Sequence, residues 1–183
     1  MFVKLVKLPQ MRVISFHSWG EFIGDPEIKS HQKLEEWIRK SGISIDPLKH
    51  IVFGFNNPLP KFNEKGEQIA SKEKPYGFEI WVTIPEDFKV DGNLSIKNVG
   101  GGLYAVVSVQ GANNIGNGWQ ALIDWISANK KFDLHPKCKG LLNYYDKDNV
   151  EYGINGLELH INYPEISEEK LHLDLYAPVV EKD

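Results

Sequence analysis

The chain has 183 residues, 42% of them hydrophobic and 25% charged, with a formal net charge of −4. That length supports one domain with a substantial core or two closely packed halves, and the composition is that of an ordinary globular protein. The acidic balance and the lack of a basic block exclude direct nucleic-acid binding, which needs clustered Lys and Arg. No apolar run is long enough to span a membrane.

The N-terminus MFVKLVKLPQ lacks the apolar stretch and cleavage site of a secretory signal, so a cytoplasmic location is expected. Cys138 stands alone, which rules out an intrachain disulfide.

Along the chain the same pattern occurs twice, from Val3 to Pro85 and from Leu94 to Pro178. Leu5–Gly20, LVKLPQMRVISFHSWG, predicts two apolar-alternating strands around a Pro turn. A helix over Pro26–Lys40 follows, with Asp25 as N-cap and Gly42 just beyond its end. Ile28, His31, Leu34, Trp37 and Ile38 recur at helical spacing and are assigned to its buried face. Strands are predicted at Ile51–Pro58 and Gly77–Pro85, joined by a polar, mobile connection over Leu59–Pro75.

The second copy repeats this order. Ile96–Gly111, IKNVGGGLYAVVSVQG, again gives two strands, here about a hairpin turn at Gly100–Leu103. A helix from Asn117 to Asn129 should bury Trp119, Leu122, Ile123 and Ile126, and strands close the copy at Leu157–Pro164 and Leu171–Val179. The helices match as KLEEWIRK against ALIDWISA, which places Trp37 and Trp125 in the core. Before the last two strands lies a Tyr-rich segment, Gly140–Gly156, whose Tyr144, Tyr145 and Tyr152 suggest an ordered, ligand-covering loop.

A unit repeated at this period pairs with its copy to bury its apolar face. The expected fold is α+β: duplicated strand–helix–strand–strand units forming one antiparallel sheet, with two helices on one face and a ligand cleft on the other. The whole of 1–183 is read as a single domain of two pseudo-symmetric halves, 3–85 and 94–179.

Alternation sorts each strand between the faces. Phe78, Ile80, Val82 and Ile84 go beneath the helices, leaving Glu79, Trp81 and Thr83 opposite; Leu171, Leu173, Leu175 and Ala177 go beneath, leaving His172, Asp174 and Tyr176 opposite. In Leu157–Pro164 the leucines and Ile161 are given to the helix side, and Glu158, His160 and Asn162 to the other. A carboxylate among aromatic rings suits a lipophilic cation or a flat aromatic compound. A solvated sheet face carries Glu, His and Asp without any function just as readily, and Trp81 and Tyr176 weigh against that. The six His residues show no metal-ligand spacing, and no cofactor is expected. Cys138 near His135 has no orienting partner, and Gly100–Leu103 is misplaced for a phosphate-cradling loop.

The run FEIWVTIPEDFKVDGNLSIKNVGGGLYAVVSVQGANNIGNGWQALIDWI resembles the GyrI-like small-molecule-binding domain. That domain is also the C-terminal effector-binding half of AraC-type and multidrug-responsive bacterial transcription regulators. The resemblance is carried by Val82, Ile84 and Pro85, by Gly101–Val106 and Gly111, by Trp119 and Leu122, and by Tyr176, Pro178 and Val179. It implies a cleft in which Glu158 matches the family's acidic residue and Trp81 a lining aromatic. Without a helix-turn-helix before Val3, a stand-alone form that does not bind DNA directly is expected.

Three functions follow from the resemblance. The first is capture of hydrophobic, aromatic and often cationic small molecules by Glu158, Glu79, Trp81, Tyr104, Trp119, Tyr145 and Tyr176, for effector sensing or toxin sequestration. The second is hydrolysis of reactive, cyclopropane-bearing natural products, with Glu158 as the catalytic group. The third is a protein-interaction module like the gyrase-inhibiting relatives, with a protein partner.

Overall fold

The structure, a computed structural model, describes residues 1–46, 49–89, 94–136, 156–164 and 167–182. Its elements in the first copy are β1 (Lys4–Leu8), β2 (Met11–Gly20), α1 (Asp25–Ser41), β3 (Val52–Asn56), β4 (Lys61–Phe62), β5 (Gln68–Ile69) and β6 (Tyr76–Thr83). In the second they are β7 (Ser95–Val99), β8 (Gly102–Gln110), α2 (Ile115–Ala128), β9 (Phe132–Leu134), β10 (Leu157–His160) and β11 (His172–Glu181).

Eight strands form one curled antiparallel sheet, a half-barrel in the order β1-β8-β11-β10-β3-β6-β2-β7, with β9 added to the end of β11. The fold is α+β as expected, and the two copies occupy the two halves of the sheet. Their first strands, however, are exchanged. β1 pairs with β8 of the second copy, and β7 pairs with β2 of the first. The expected turn at Gly100–Leu103 is therefore not a hairpin: β7 is the edge strand at one end of the sheet, and β8 lies next to the edge strand β1 at the other. The two connectors meet closely, since a Cβ on Gly101 would stand 2.2 Å from the Leu8 carbonyl oxygen, a contact only glycine permits there.

α1 begins one residue earlier than a side-chain cap would place it. Gly24, with φ of 89°, is the N-cap, and Asp25 lies inside the first turn beside Pro26 and Glu27, where carboxylates favour the helix dipole. Gly42 closes the helix in the left-handed conformation, its N–H reaching the Ile38 carbonyl. α2 starts two residues before its expected first residue, after a 3-10 turn over Ala112–Asn114. The connection expected to be mobile at Leu59–Pro75 contains the small hairpin of β4 and β5.

Both sheet faces are apolar. Leu34 of α1 packs with Ile14, Phe16, Val52, Phe78, Ile80 and Val82 of the sheet; Leu122 of α2 packs with Val107, Val109, Leu173, Leu175 and Ala177. The concave face is filled by Val13, Phe53, Phe55, Trp81, Val99, Tyr104, Val106, Leu157 and Tyr176. Its rings interlock edge to face, with Phe55 and Trp81 centroids 4.6 Å apart and Tyr104 and Tyr176 5.8 Å apart.

Candidate functional site in the gap between the helices

α1 lies over β2 and β6, and α2 over β8, β11 and β9. The central strands β10 and β3 lie between the strands on which the two helices chiefly pack, so most of their helix-side residues form the floor of a gap with a helical wall on each side. Register identifies those residues. Glu158 pairs with Leu175 on one side and Gly54 on the other, and His160 pairs with Leu173. Leu173 and Leu175 both pack under α2, so Glu158 and His160 point to the helix side. On β3 the same reasoning gives Gly54 and Asn56, since Asn56 pairs with Phe78 and Gly54 with Ile80.

The sorting of β6 and β11 holds, and that of β10 is corrected. Leu157 and Leu159 belong to the concave core with Trp81 and Tyr176, while Glu158 stands on the opposite face from both. The cause is that two apolar faces compete for the leucines, and the concave one takes them.

Trp119 reaches Glu158 from α2, its indole Nε1 donating to Oε1 at 3.3 Å. Ile123, one helical turn further, extends the same flank and is 42% exposed, against the expectation that it is buried. On α1, Ile28 is likewise exposed, at 60%, beside Glu27. Periodicity marked both isoleucines as core, but each lies on the shoulder of its helix rather than above the sheet.

Glu158 is partly accessible yet surrounded by protein, as a floor residue is. Burial pushes its carboxyl up to about 7, the Trp119 hydrogen bond opposes this, and the negative charge of Glu27 adds to it. Glu27 itself is raised, first by burial, although Tyr76 Oη donates to its Oε2 at 2.7 Å. Tyr76 in turn accepts the Gly24 N–H at 2.6 Å, which fixes the start of α1 to β6.

Next to Glu158, His160 is 8% exposed, and burial holds its imidazole down at about 3, so it is neutral. Its ring lies 5.5 Å from His31 of α1, which stacks on Tyr163 at 6.3 Å. Gly54 makes this packing possible. A Cβ there would come within 2.7 Å of Phe78 Cζ and 3.0 Å of His160 Nε2. Neither His31 nor His160 nor Glu27 was singled out for this site in the sequence, and Gly54, a glycine within an apolar strand, is the one local sign of close approach there.

The other expected site residues lie across the sheet. Glu79 is 1% exposed and accepts hydrogen bonds from Ser15 Oγ (2.5 Å), Asn57 Nδ2 (2.6 Å), Trp81 Nε1 (2.7 Å) and Lys97 Nζ (2.6 Å). Burial raises its carboxyl, but the Lys97 charge and these hydrogen bonds outweigh it and leave it lowered. The second copy has a counterpart. Asp174 on β11 takes Lys4 Nζ at 2.9 Å and the Ser108 hydroxyl. In both halves a lysine from the exchanged strand therefore neutralises a buried carboxylate on the concave face. Trp81, Tyr104 and Tyr176 are core residues of that face, each no more than 5% exposed. Tyr145 and the Tyr-rich segment around it lie outside the described residues.

No group of three or more potential metal ligands occurs among the described residues. No helix among them is long and apolar enough to cross a membrane.

A family model for integron-associated effector binding proteins, Cass2, matches residues 4–179. Among solved structures, the chain is similar to EcmrR in its complex with DNA, at 16% identity and a TM-score of 0.66, covering 100% of this chain and 58% of that one. It therefore spans little more than half the length of EcmrR. The isolated EcmrR C-terminal domain matches at 13% identity and a TM-score of 0.65, covering 99% and 98% of the two chains. A hydrolase from Listeria innocua matches at 11% identity and a TM-score of 0.61, covering 97% and 91%. At these identities the likeness is one of fold. No curated protein matches.

Proposed function

This chain belongs to the family of integron-associated effector binding proteins, and on that premise we propose that it captures an aromatic, cationic small molecule in the gap between α1 and α2. Glu158 on the floor supports this reading most directly: a partly accessible carboxylate with one indole donor at 3.3 Å is equipped to meet a positive charge. Trp119 offers a ring face for stacking or cation–π attraction, and Ile123 and Ile28 give apolar shoulders. Glu27 adds negative potential from the facing wall. In this proposal Trp81, Tyr104, Tyr176 and Glu79 support the floor from below rather than touch the ligand. The protein acts in the cytoplasm, with no DNA contact of its own.

The test is tryptophan-fluorescence titration of wild type and Glu158→Gln with cationic, neutral and anionic phenyl compounds, followed by mass spectrometry of the recovered compound. Saturable quenching that favours cations and weakens in the variant is the expected result. Equal affinities in the two proteins would remove Glu158 from the site, and no binding would redirect the search to protein partners.

One observation favours a second reading. A carboxyl held near 7 suits a general base, so hydrolysis of a reactive compound at the same floor is the alternative. Conversion of more compound than there is protein would establish it.

A further inference from the structure

Four buried side-chain atoms have no hydrogen-bond partner among the described residues: Ser18 Oγ, Asn56 Oδ1, and both ring nitrogens of His160. Three of the four belong to the floor of the gap, on either side of Glu158. Buried polar groups are almost always satisfied, and leaving one unmade costs about 1–3 kcal/mol, so their concentration on one strip of sheet needs a reason. A core position could have carried Leu or Phe at no such cost. Gly54 leaves room for the His160 ring, and the His31 ring of α1 lies 5.5 Å from it, with Phe78 and Tyr163 as its other ring neighbours.

We propose that His160 is a specificity-determining group of the gap: a neutral imidazole that hydrogen-bonds an uncharged hydroxyl or amide of the same ligand whose cationic part meets Glu158, once His31 swings aside. This rests on the small-molecule reading of the gap. Glu158 and His160 are two residues apart on one face of β10, which sets the two recognised groups about 7 Å apart along the strand. Neutral imidazole offers one donor and one acceptor, so it accepts alcohols, phenols and amides and discriminates against the purely hydrocarbon analogue, which leaves its nitrogens unpaired.

The experiment uses a matched pair of probes, trimethyl(2-phenylethyl)ammonium and its para-hydroxy analogue, titrated into wild type, His160→Leu and Glu158→Gln. In wild type the hydroxylated probe should bind about tenfold tighter, the scale of one hydrogen bond to a desolvated group. His160→Leu should abolish that preference, so that both probes bind alike, whereas Glu158→Gln should weaken both probes equally and keep the preference. Equal binding of the two probes to wild type, or a preference retained in His160→Leu, would overturn the role of His160 while leaving the gap as a binding site. Failure of both probes to bind wild type would overturn the binding reading and this inference together. Histidine-¹⁵N NMR of the wild type needs no substitution: the imidazole shifts of His160 should respond to the hydroxylated probe and not to the parent, and no difference between the probes would count against the proposal.

Discussion

Trp119 Nε1 and Glu158 Oε1 lie 3.3 Å apart across the seam between α2 and the central strand β10. That contact ties the helix wall to the floor and opposes the upward shift that burial imposes on the carboxyl. Removing the donor should therefore move the acid, not only the helix. In Trp119→Phe the carboxyl of Glu158 should titrate at higher pH than in wild type. The pH dependence of quaternary-ammonium binding should shift upward with it, and an unchanged midpoint would show that the indole does not tune this group.

Glu158 should also leave a mark on stability. Its folded-state value of about 7 lies above the ordinary 4.5, so the native state holds the proton more tightly than the unfolded chain. The resulting stabilisation is fully present below about pH 4.5 and is lost as pH rises through 7, a change of at most about 3 kcal/mol. Denaturant unfolding between pH 4.5 and 8 should show wild type losing stability relative to Glu158→Gln across that window, with the variant the more stable at pH 8. Affinity for a permanent cation should run the other way, rising through the same window as the carboxylate forms.

Glu79 should behave as structure. Glu79→Gln leaves Lys97, 19% exposed at its side chain, without its charge partner in an apolar face. A loss of about 3–5 kcal/mol is expected from denaturant unfolding. The folded fraction should bind cationic phenyl probes as wild type does. A large loss of affinity with little loss of stability would return Glu79 to the ligand site.

Gly54→Ala brings a methyl to within 2.7 Å of Phe78 Cζ and 3.0 Å of His160 Nε2. Phe78 is locked in the core beneath α1, so the strain should cost about 1–3 kcal/mol in thermal or denaturant melts. A neutral result would mean that the Phe78 and His160 rings both yield easily.

The repeat, both helices and the two faces of β6 and β11 were legible because Phe78-Ile80-Val82 and Leu173-Leu175-Ala177 alternate cleanly along long strands. β10 was not. It has four residues, and alternation tells its two faces apart without saying which is which. Assigning Leu157 and Leu159 to the helices assumed that the sheet has one apolar side, whereas Phe53, Trp81 and Tyr176 make the concave side a second core. Gly54 held the clue, because it lies opposite Glu158 and cannot fill a core. The site residues on α1 were illegible for another reason: Glu27 reads as an ordinary acid of a first helical turn, and only the tertiary fold brings it over β10.

The exchange of β1 and β7 between the copies has a consequence for how such a protein can be taken apart. Each half owes its outermost strand, and the lysine that neutralises its buried carboxylate, to the other. A chain severed between Thr83 and Ser95 would yield two fragments that each lack an edge and carry an unpaired Asp174 or Glu79. Neither should fold alone, but mixed together they should reconstitute one another, each supplying what the other is missing.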